Sequence, residues 1–246
     1  MKALILAAGY ATRLYPLTLN TAKPLLMVGK RRMIDYVVDA LCKLKGLKEI
    51  YVVTNEKFSS DFKTWASSSK NGVPITVIND HTREDETKLG AVGDIHFVVK
   101  EKQVDDDLIV VAGDNLFDAD MGKFTSFAEK RGPAVCLYDV VDKELSKKYA
   151  VVTIDENKRI IKFVEKPPNP ETTLISMCLY YYPREVLPMV DEYLSEGGNT
   201  DAPGHFVQWL YKKTNVYGYV FDGLWFDIGD KKSLQEADAA IKQKLD

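Results

Sequence analysis

Residues 6–16 run Leu6, Ala7, Ala8, Gly9, Tyr10, Ala11, Thr12, Arg13, Leu14, Tyr15, Pro16, directly after a short apolar segment. Small residues at Ala7, Ala8 and Gly9 let a backbone approach a ligand closely, and successive N–H groups in such a turn can cradle an anion. Arg13 has the fork of donors that suits two phosphate oxygens at once. Lys23 follows in an Ala-Lys-Pro stretch, held extended by Pro24. On these residues alone, phosphate binding and a tight turn with a solvated arginine are equally open. Two common phosphate motifs are absent: there is no GxxxxGK(S/T), and the turn does not complete GxGxxG.

Two acidic residues end apolar stretches. Asp114 sits in Gly113-Asp114-Asn115 after Val110, Val111 and Ala112, and Asp227 lies in Trp225-Phe226-Asp227-Ile228-Gly229. Hard oxygen ligands at such a place suit Mg²⁺, which takes one or two carboxylates and substrate phosphates. Each aspartate taken singly is an ordinary turn residue. Their joint presence says more, because only a fold can bring positions so distant together. Glu165, Lys166 and Pro167 read alone as an ion pair closing a strand.

Together these segments resemble the signature of the sugar-phosphate nucleotidylyltransferases, most closely the glucose-1-phosphate thymidylyltransferase-like group. The family pattern is roughly LAxGxGTRLxPxT followed by KPxxxxxxxPxI. Here Ala11 replaces the second glycine, and Arg32 stands where a proline is usual. The resemblance is strongest over residues 6–35 and 108–118 and weaker over 163–167 and 223–229. It implies an α/β fold: a Rossmann-like, mostly parallel mixed sheet flanked by helices, with a small sugar-side β lobe. It implies a single nucleotidyltransferase domain over 1–246, with a nucleotide-binding half at 1–140 and a sugar-phosphate-binding half at 141–246. The implied activity joins a nucleoside triphosphate, dTTP or UTP, to glucose 1-phosphate or another sugar 1-phosphate. Pyrophosphate leaves after in-line attack.

The resemblance also assigns roles. Leu6, Ala7, Ala8, Gly9, Leu89 and Gly90 would contact the nucleotide. Tyr149, Ala150, Glu165 and Lys166 would contact the sugar phosphate. Arg13, Lys23 and Lys166 would neutralise and position phosphates, and Asp114 and Asp227 would hold Mg²⁺. Ala91 carries no amide or hydroxyl, so base readout there would come from backbone groups. Ala150 adds a methyl to a wall where the family has glycine. Met177 and Cys178 occupy the strand that usually reads VxGxYxY, and 199–204 aligns loosely with an acidic Thr-Asp element. These changes cluster on the sugar side. They motivate a second acceptor class, an alcohol phosphate such as phosphocholine used by a cytidylyltransferase. A non-catalytic nucleotide-sugar sensor is a third reading, opposed by the retained Arg13, Lys23, Asp114 and Asp227. A nicotinamide-dependent oxidoreductase would need the missing dinucleotide fingerprint.

The elements that must position these residues follow from periodicity. Short apolar runs predict strands at 2–7, 50–53, 75–78, 108–112 and 134–140. Helical spacing predicts helices at 34–44, around Phe58, Phe62 and Trp65, at 89–99 with Leu89, Val92, His96 and Val99 on one side, and at 121–130. Beyond 150 the pattern predicts a hairpin from 151–154 and 159–164, strands at 174–182 and 216–221, and helices at 184–194, 205–213 and 231–245. Strand–helix alternation predicts a parallel sheet with ligands beyond the strands' carboxyl ends.

The 246 residues carry 33 Lys and Arg against 36 Asp and Glu, which does not suggest a nucleic-acid partner. No apolar run approaches the roughly 20 residues that span a bilayer, so the expectation is a cytoplasmic enzyme without membrane contact. Its partners would be substrates and a possible second copy of itself. Cys42, Cys136 and Cys178 have no metal-ligand spacing and are expected to be reduced. His81, His96 and His205 show no metal or triad pattern, and Tyr180, Tyr181 and Tyr182 are expected to pack a strand.

Overall fold

The computed structural model describes residues 1–245. In chain order its first half holds β1 (Lys2–Leu6), β2 (Met27–Val28), β3 (Arg31–Arg32), α1 (Met33–Cys42), β4 (Ile50–Thr54), α2 (Ser59–Ser68), β5 (Ile75–Asn79), α3 (Ala91–Glu101), β6 (Leu108–Ala112), β7 (Asn115–Phe117), α4 (Met121–Glu129) and β8 (Ala134–Asp139). The second half holds α5 (Lys143–Ser146), β9 (Ala150–Ile154), β10 (Ile160–Glu165), β11 (Leu174–Tyr182), α6 (Pro188–Ser195), α7 (Pro203–Lys213), β12 (Tyr217–Val220), β13 (Trp225–Asp227) and α8 (Lys231–Leu245).

Ala3, Leu4 and Ile5 of β1 are all fully buried, as a central parallel strand requires. Successive side chains point to opposite faces. Ala3 and Ile5 join the core beneath α1, α2 and α4, while Leu4 joins the core beneath α3, α6 and α7. β1 pairs in parallel with β4 on one edge and with β6 on the other, and β4 pairs in parallel with β5. The nine-stranded sheet continues from β6 through β11 to β9 and β10, with β8 and β12 on β11's far side. β9, β10 and β11 run antiparallel to their neighbours, so the sheet is mixed. The expected hairpin, β9 and β10, extends this sheet. A separate two-stranded ribbon pairs β7 with β13.

β11 is the switch between the two halves. β8 pairs along one of its edges, with a register shift between Ser176 and Tyr180. Its other edge serves two strands in turn: Ile175 pairs with Val151 of β9, and 179–182 pair with β6. Between them Cys178 adopts φ 54, and the Asn115 side-chain amide donates to the Met177 carbonyl. Tyr180 and Tyr182 stack at 5.8 Å inside the core, the packing role expected of them.

Several predicted bounds move for local reasons. α3 starts at Ala91, not at 89, because Gly90 turns the chain at φ 79. Its buried face is Val92, Ile95 and Val98, and His96 instead faces Asp191 at 2.5 Å. The predicted helix 184–194 divides into a short 3-10 turn at Arg184–Val186 and α6, which begins at Pro188. Proline lacks the N–H that a helix interior needs, so it sits in the first turn. Strands β2, β3, β7 and β13 and the single turn α5 are too short to give a periodicity. α8 returns to the N-terminal half: Asp238 accepts a hydrogen bond from Gly29 N at 2.7 Å. Val28, Met33, Leu116, Ile228 and Ala237 form a small third core around it. Among the described residues no helix is long and apolar enough to cross a membrane, and Cys42, Cys136 and Cys178 are free thiols.

Asp80 and Asp94 are buried together, at 6% and 5% exposure. Thr82 donates to Asp80 from both its N–H and its hydroxyl, at 2.7 and 2.8 Å. Burial first, then the charge of Asp80, pushes Asp94 up to about 8. The folded chain therefore holds a proton that the unfolded chain gives up above 3.8. This contribution is complete below that value and is lost as pH rises through about 8. Asp94→Asn is expected to flatten that decline, so its gain in Tm over the native protein grows from about pH 5 to about pH 9. A variant that tracks the native Tm at every pH would refute the shared proton.

Candidate active site

The first loop forms because β1 runs out at Leu6 and small residues follow. Ala7 N donates to Val53 O at 2.9 Å, and Asn55 donates to Ala8 O at 2.9 Å, so both alanines are pinned beneath the surface. Gly9 is exposed, and a Cβ there would meet nothing within 4 Å, which leaves the space above it open. Ala11 adopts φ 49, ψ 45, the left-handed region that favours glycine. Leu14 N and the Thr18 hydroxyl both donate to the Ala11 carbonyl, at 3.0 and 2.8 Å. These bonds hold the turn in the glycine-like shape and present Arg13 outward.

Gly113 lets β6 end close against its neighbours. A Cβ there would sit 3.1 Å from Ile5 and Pro24 side-chain atoms and 3.2 Å from Leu6 O. Asp114 therefore emerges beside the first loop. The β7–β13 ribbon pairs Asp227 with Asn115, which makes Asp114 and Asp227 diagonal neighbours. Lys23 reaches Asp114 Oδ2 at 2.6 Å from a short 3-10 turn containing Pro24. Burial lowers the Lys23 pKa, but the charges of Asp114 and Asp227 outweigh it and the net shift is upward. Burial, then the charge of Asp114, pushes Asp227 up to about 6, while Lys23, the Tyr149 hydroxyl and Arg13 pull it back. Five predicted residues from four distant segments thus share one electrostatic cluster. Asp114 and Asp227 are the pair that could hold a divalent cation. No group of three or more His, Cys, Asp or Glu gathers for a metal among the described residues.

A cleft of about 1150 Å³ opens over this cluster. Leu6, Arg13, Asp114, Tyr149, Ala150, Glu165, Lys166 and Asp227 line it. Lys23 stands behind Asp114. Ala7, Ala8, Gly9, Leu89 and Gly90 lie outside this lining, and Ala91 is the member of the 89–91 segment that reaches it. Gly90 instead fits under a loop: a Cβ would lie 2.4 Å from Thr200 O. Ala91 N and Val92 N donate to Asp201 O and Thr200 O, capping α3 with the loop before α7.

Sequence reasoning missed other lining residues: Tyr138, Lys148 and Lys232, besides Trp225 of the β13 ribbon. Nothing in their spacing marks Lys148 or Lys232. Trp225 was visible two residues before Asp227. Arg13, Lys148, Lys166 and Lys232 give the cleft a cationic rim suited to phosphates.

Residues 2–244 match the model of the family described as nucleotidyl transferase. The chain belongs to that family. It is 30% identical, over 93% of its length and 60% of the other, to a putative mannose-1-phosphate guanyltransferase of Sulfolobus acidocaldarius. It is 27% identical to the bifunctional protein GlmU of Methanocaldococcus jannaschii, over 100% of this chain and 55% of that one. A glucose-1-phosphate adenylyltransferase of Clostridium novyi is 29% identical over 96% of this chain and 65% of its own. The chain therefore spans roughly three-fifths of the length of these curated relatives. Among solved structures, a putative glucose-1-phosphate thymidylyltransferase of Bacillus anthracis in complex with sucrose superposes with TM-score 0.83 at 27% identity. That match covers 98% of this nucleotidyl transferase chain and 94% of the other. A UDP-glucose pyrophosphorylase, at 21% identity and TM-score 0.83, shares the fold.

Ala11→Gly tests the left-handed turn. Release of an alanine from that region is worth roughly 1–2 kcal/mol, and the added freedom of glycine in the unfolded chain returns about 0.4–1 kcal/mol. The expected net gain is about 0.5–1 kcal/mol, seen as a Tm rise of ~1–4 °C in a chain of this size. A loss of stability would mean the turn is not left-handed in solution.

Proposed function

We propose that this chain transfers a nucleotidyl group from a nucleoside triphosphate to a sugar 1-phosphate, releasing pyrophosphate. The observation that carries this reading is the convergence of Asp114, Asp227, Lys23 and Arg13 at the carboxyl end of the parallel strands. The favoured substrates are dTTP or UTP with glucose 1-phosphate. They are supported by the sequence signature and by the likeness to the Bacillus anthracis protein.

The donor set fits Mg²⁺. The charge of Asp114 raises the cost of ionising the buried Asp227, and a hard cation held by the two carboxylates would relieve it. With no third side-chain ligand gathered there, substrate oxygens and water would complete its shell. When bound, the ion would neutralise phosphate charge where the two substrates meet.

The chain's own residues do the rest by position and charge. The acceptor phosphate is already ionised at neutral pH, so no general base is needed. Lys166, at the cleft rim, orients that phosphate. Lys23 stands behind Asp114, pairs with it at 2.6 Å and adds its positive charge near the α-phosphate. Arg13 holds the triphosphate and the departing pyrophosphate with paired donors. The N–H groups around Gly9 pack against the nucleotide.

One observation favours a second acceptor class, an alcohol phosphate with a cationic head such as phosphocholine. Tyr138 and Tyr149 flank Trp225 at 5.4 and 5.2 Å between ring centroids. Asp139, Asp230 and Glu236 line the same cleft. Aromatic faces backed by carboxylates attract ammonium groups.

Pyrophosphate release with Mg²⁺, over five nucleoside triphosphates against sugar 1-phosphates and phosphocholine, tests both. Release with a sugar 1-phosphate supports the first reading, and release only with phosphocholine replaces it with the second. Silence across the grid from folded protein overturns both in favour of a nucleotide-sugar sensor or of an acceptor outside the grid. Arg13→Ala and Asp114→Ala are each expected to lower kcat by about a hundredfold or more, with Tm within a few degrees of native. A folded Asp114→Ala protein with native kcat would remove the metal assignment.

A further inference from the structure

α7 opens with Pro203 and Gly204. Glycine is the poorest helix former after proline. Gly204 has no positive φ, so its backbone would accept any residue. Space is what excludes a side chain. A Cβ on Gly204 would lie 2.1 Å from Glu165 Oε2 and 3.2 Å from Phe163 Cε1.

The surroundings decide which partner would yield. Phe163 is a fully buried core residue of β10. The segment before α7 is tied on both sides: Thr200 O and Asp201 O cap α3, the Tyr193 hydroxyl donates to Asn199 O at 2.8 Å, and Lys88 pairs with Asp201 at 3.3 Å. The carboxylate of Glu165 is the end of a flexible side chain at the cleft wall. It is 12% exposed, and its Oε1 lies 3.9 Å from Lys166 Nζ. Burial raises its pKa, against the charges of Lys166 and His205.

We propose that Gly204 is a positioning residue: by lacking a side chain it seats the Glu165 carboxylate against the first turn of α7, where it accepts hydrogen bonds from the hydroxyl donors of the acceptor phosphate. This rests on the reading of the cleft as an acceptor site. Glu165 then reads the acceptor's polar body while Lys166 holds its phosphate. The nucleotide side is not involved.

Gly204→Ala in the full chain tests this by kinetics, melting and ¹³C NMR of glutamate-labelled protein. Tm is expected to stay level or rise, since alanine favours the helix. The KM for the acceptor is expected to rise about tenfold or more, as loss of a hydrogen bond to a charged group implies, with the KM for the triphosphate unchanged. Glu165→Asp, which retracts the carboxylate by one methylene, is expected to recover part of that loss in the Gly204→Ala background and to cause a loss alone. The Glu165 carboxyl resonance, assigned with Glu165→Gln, is expected to titrate at lower pH in Gly204→Ala, because the carboxylate has moved toward water. Equal titration in native and Gly204→Ala proteins overturns the seat. Equal acceptor KM overturns its role in recognition. If native protein turns over no acceptor, the transferase reading fails, and the titration still decides whether Gly204 seats Glu165.

Discussion

Everything at the cleft depends on one edge of β11 serving two strands. A strand edge is a row of N–H and C=O groups that must be paired. β11 meets that requirement with β9 near its start and with β6 near its end. Two strands cannot occupy one edge without a gap where they part. The gap falls at Met177 and Cys178, and the cleft opens there. The Asn115 amide satisfies the Met177 carbonyl that the parting leaves over. The floor of the site is thus a consequence of how a parallel half joins an antiparallel half.

Conformational cost is stored around the same cleft. Ala11, Lys166 and Cys178 all adopt positive φ, at 49°, 45° and 54°. Each stands at or beside the cleft, on three different segments. Left-handed backbone at residues with a Cβ persists only where the surroundings determine it. At Ala11 two hydrogen bonds to its carbonyl do so, and at Cys178 the change of strand partner does. Lys166 N donates to Tyr149 O at 3.1 Å, which ties the end of β10 to the residue before β9.

Much of this was legible in the chain. The apolar runs around Leu4, Val52 and Val110 are short and wholly apolar, as central strands are, and Asp114 stands just beyond one of them. What stayed illegible has physical causes. β7 and β13 are three residues each, too short for a period, yet their pairing is what brings Asp227 to Asp114. α3 looked two residues longer because Leu89 fits a helical stripe, whereas the positive φ of Gly90 is set by the Thr200 carbonyl, a partner far away in sequence. Gly204 carries no signal at all, because its reason is an absence of space.

The tie between Gly29 and Asp238 spans a separation of 209 residues. A chain leaving the ribosome makes the turn at Gly29 long before the helix that props it. Until β11 has been synthesised, one edge of β6 has no partner either. Distant pairings of this kind close slowly, and an unpaired, wholly apolar strand edge is where nascent chains stick to one another. The architecture that opens a cleft between its halves thus leaves the growing polypeptide exposed until β11 has been made, a cost borne before any substrate is met.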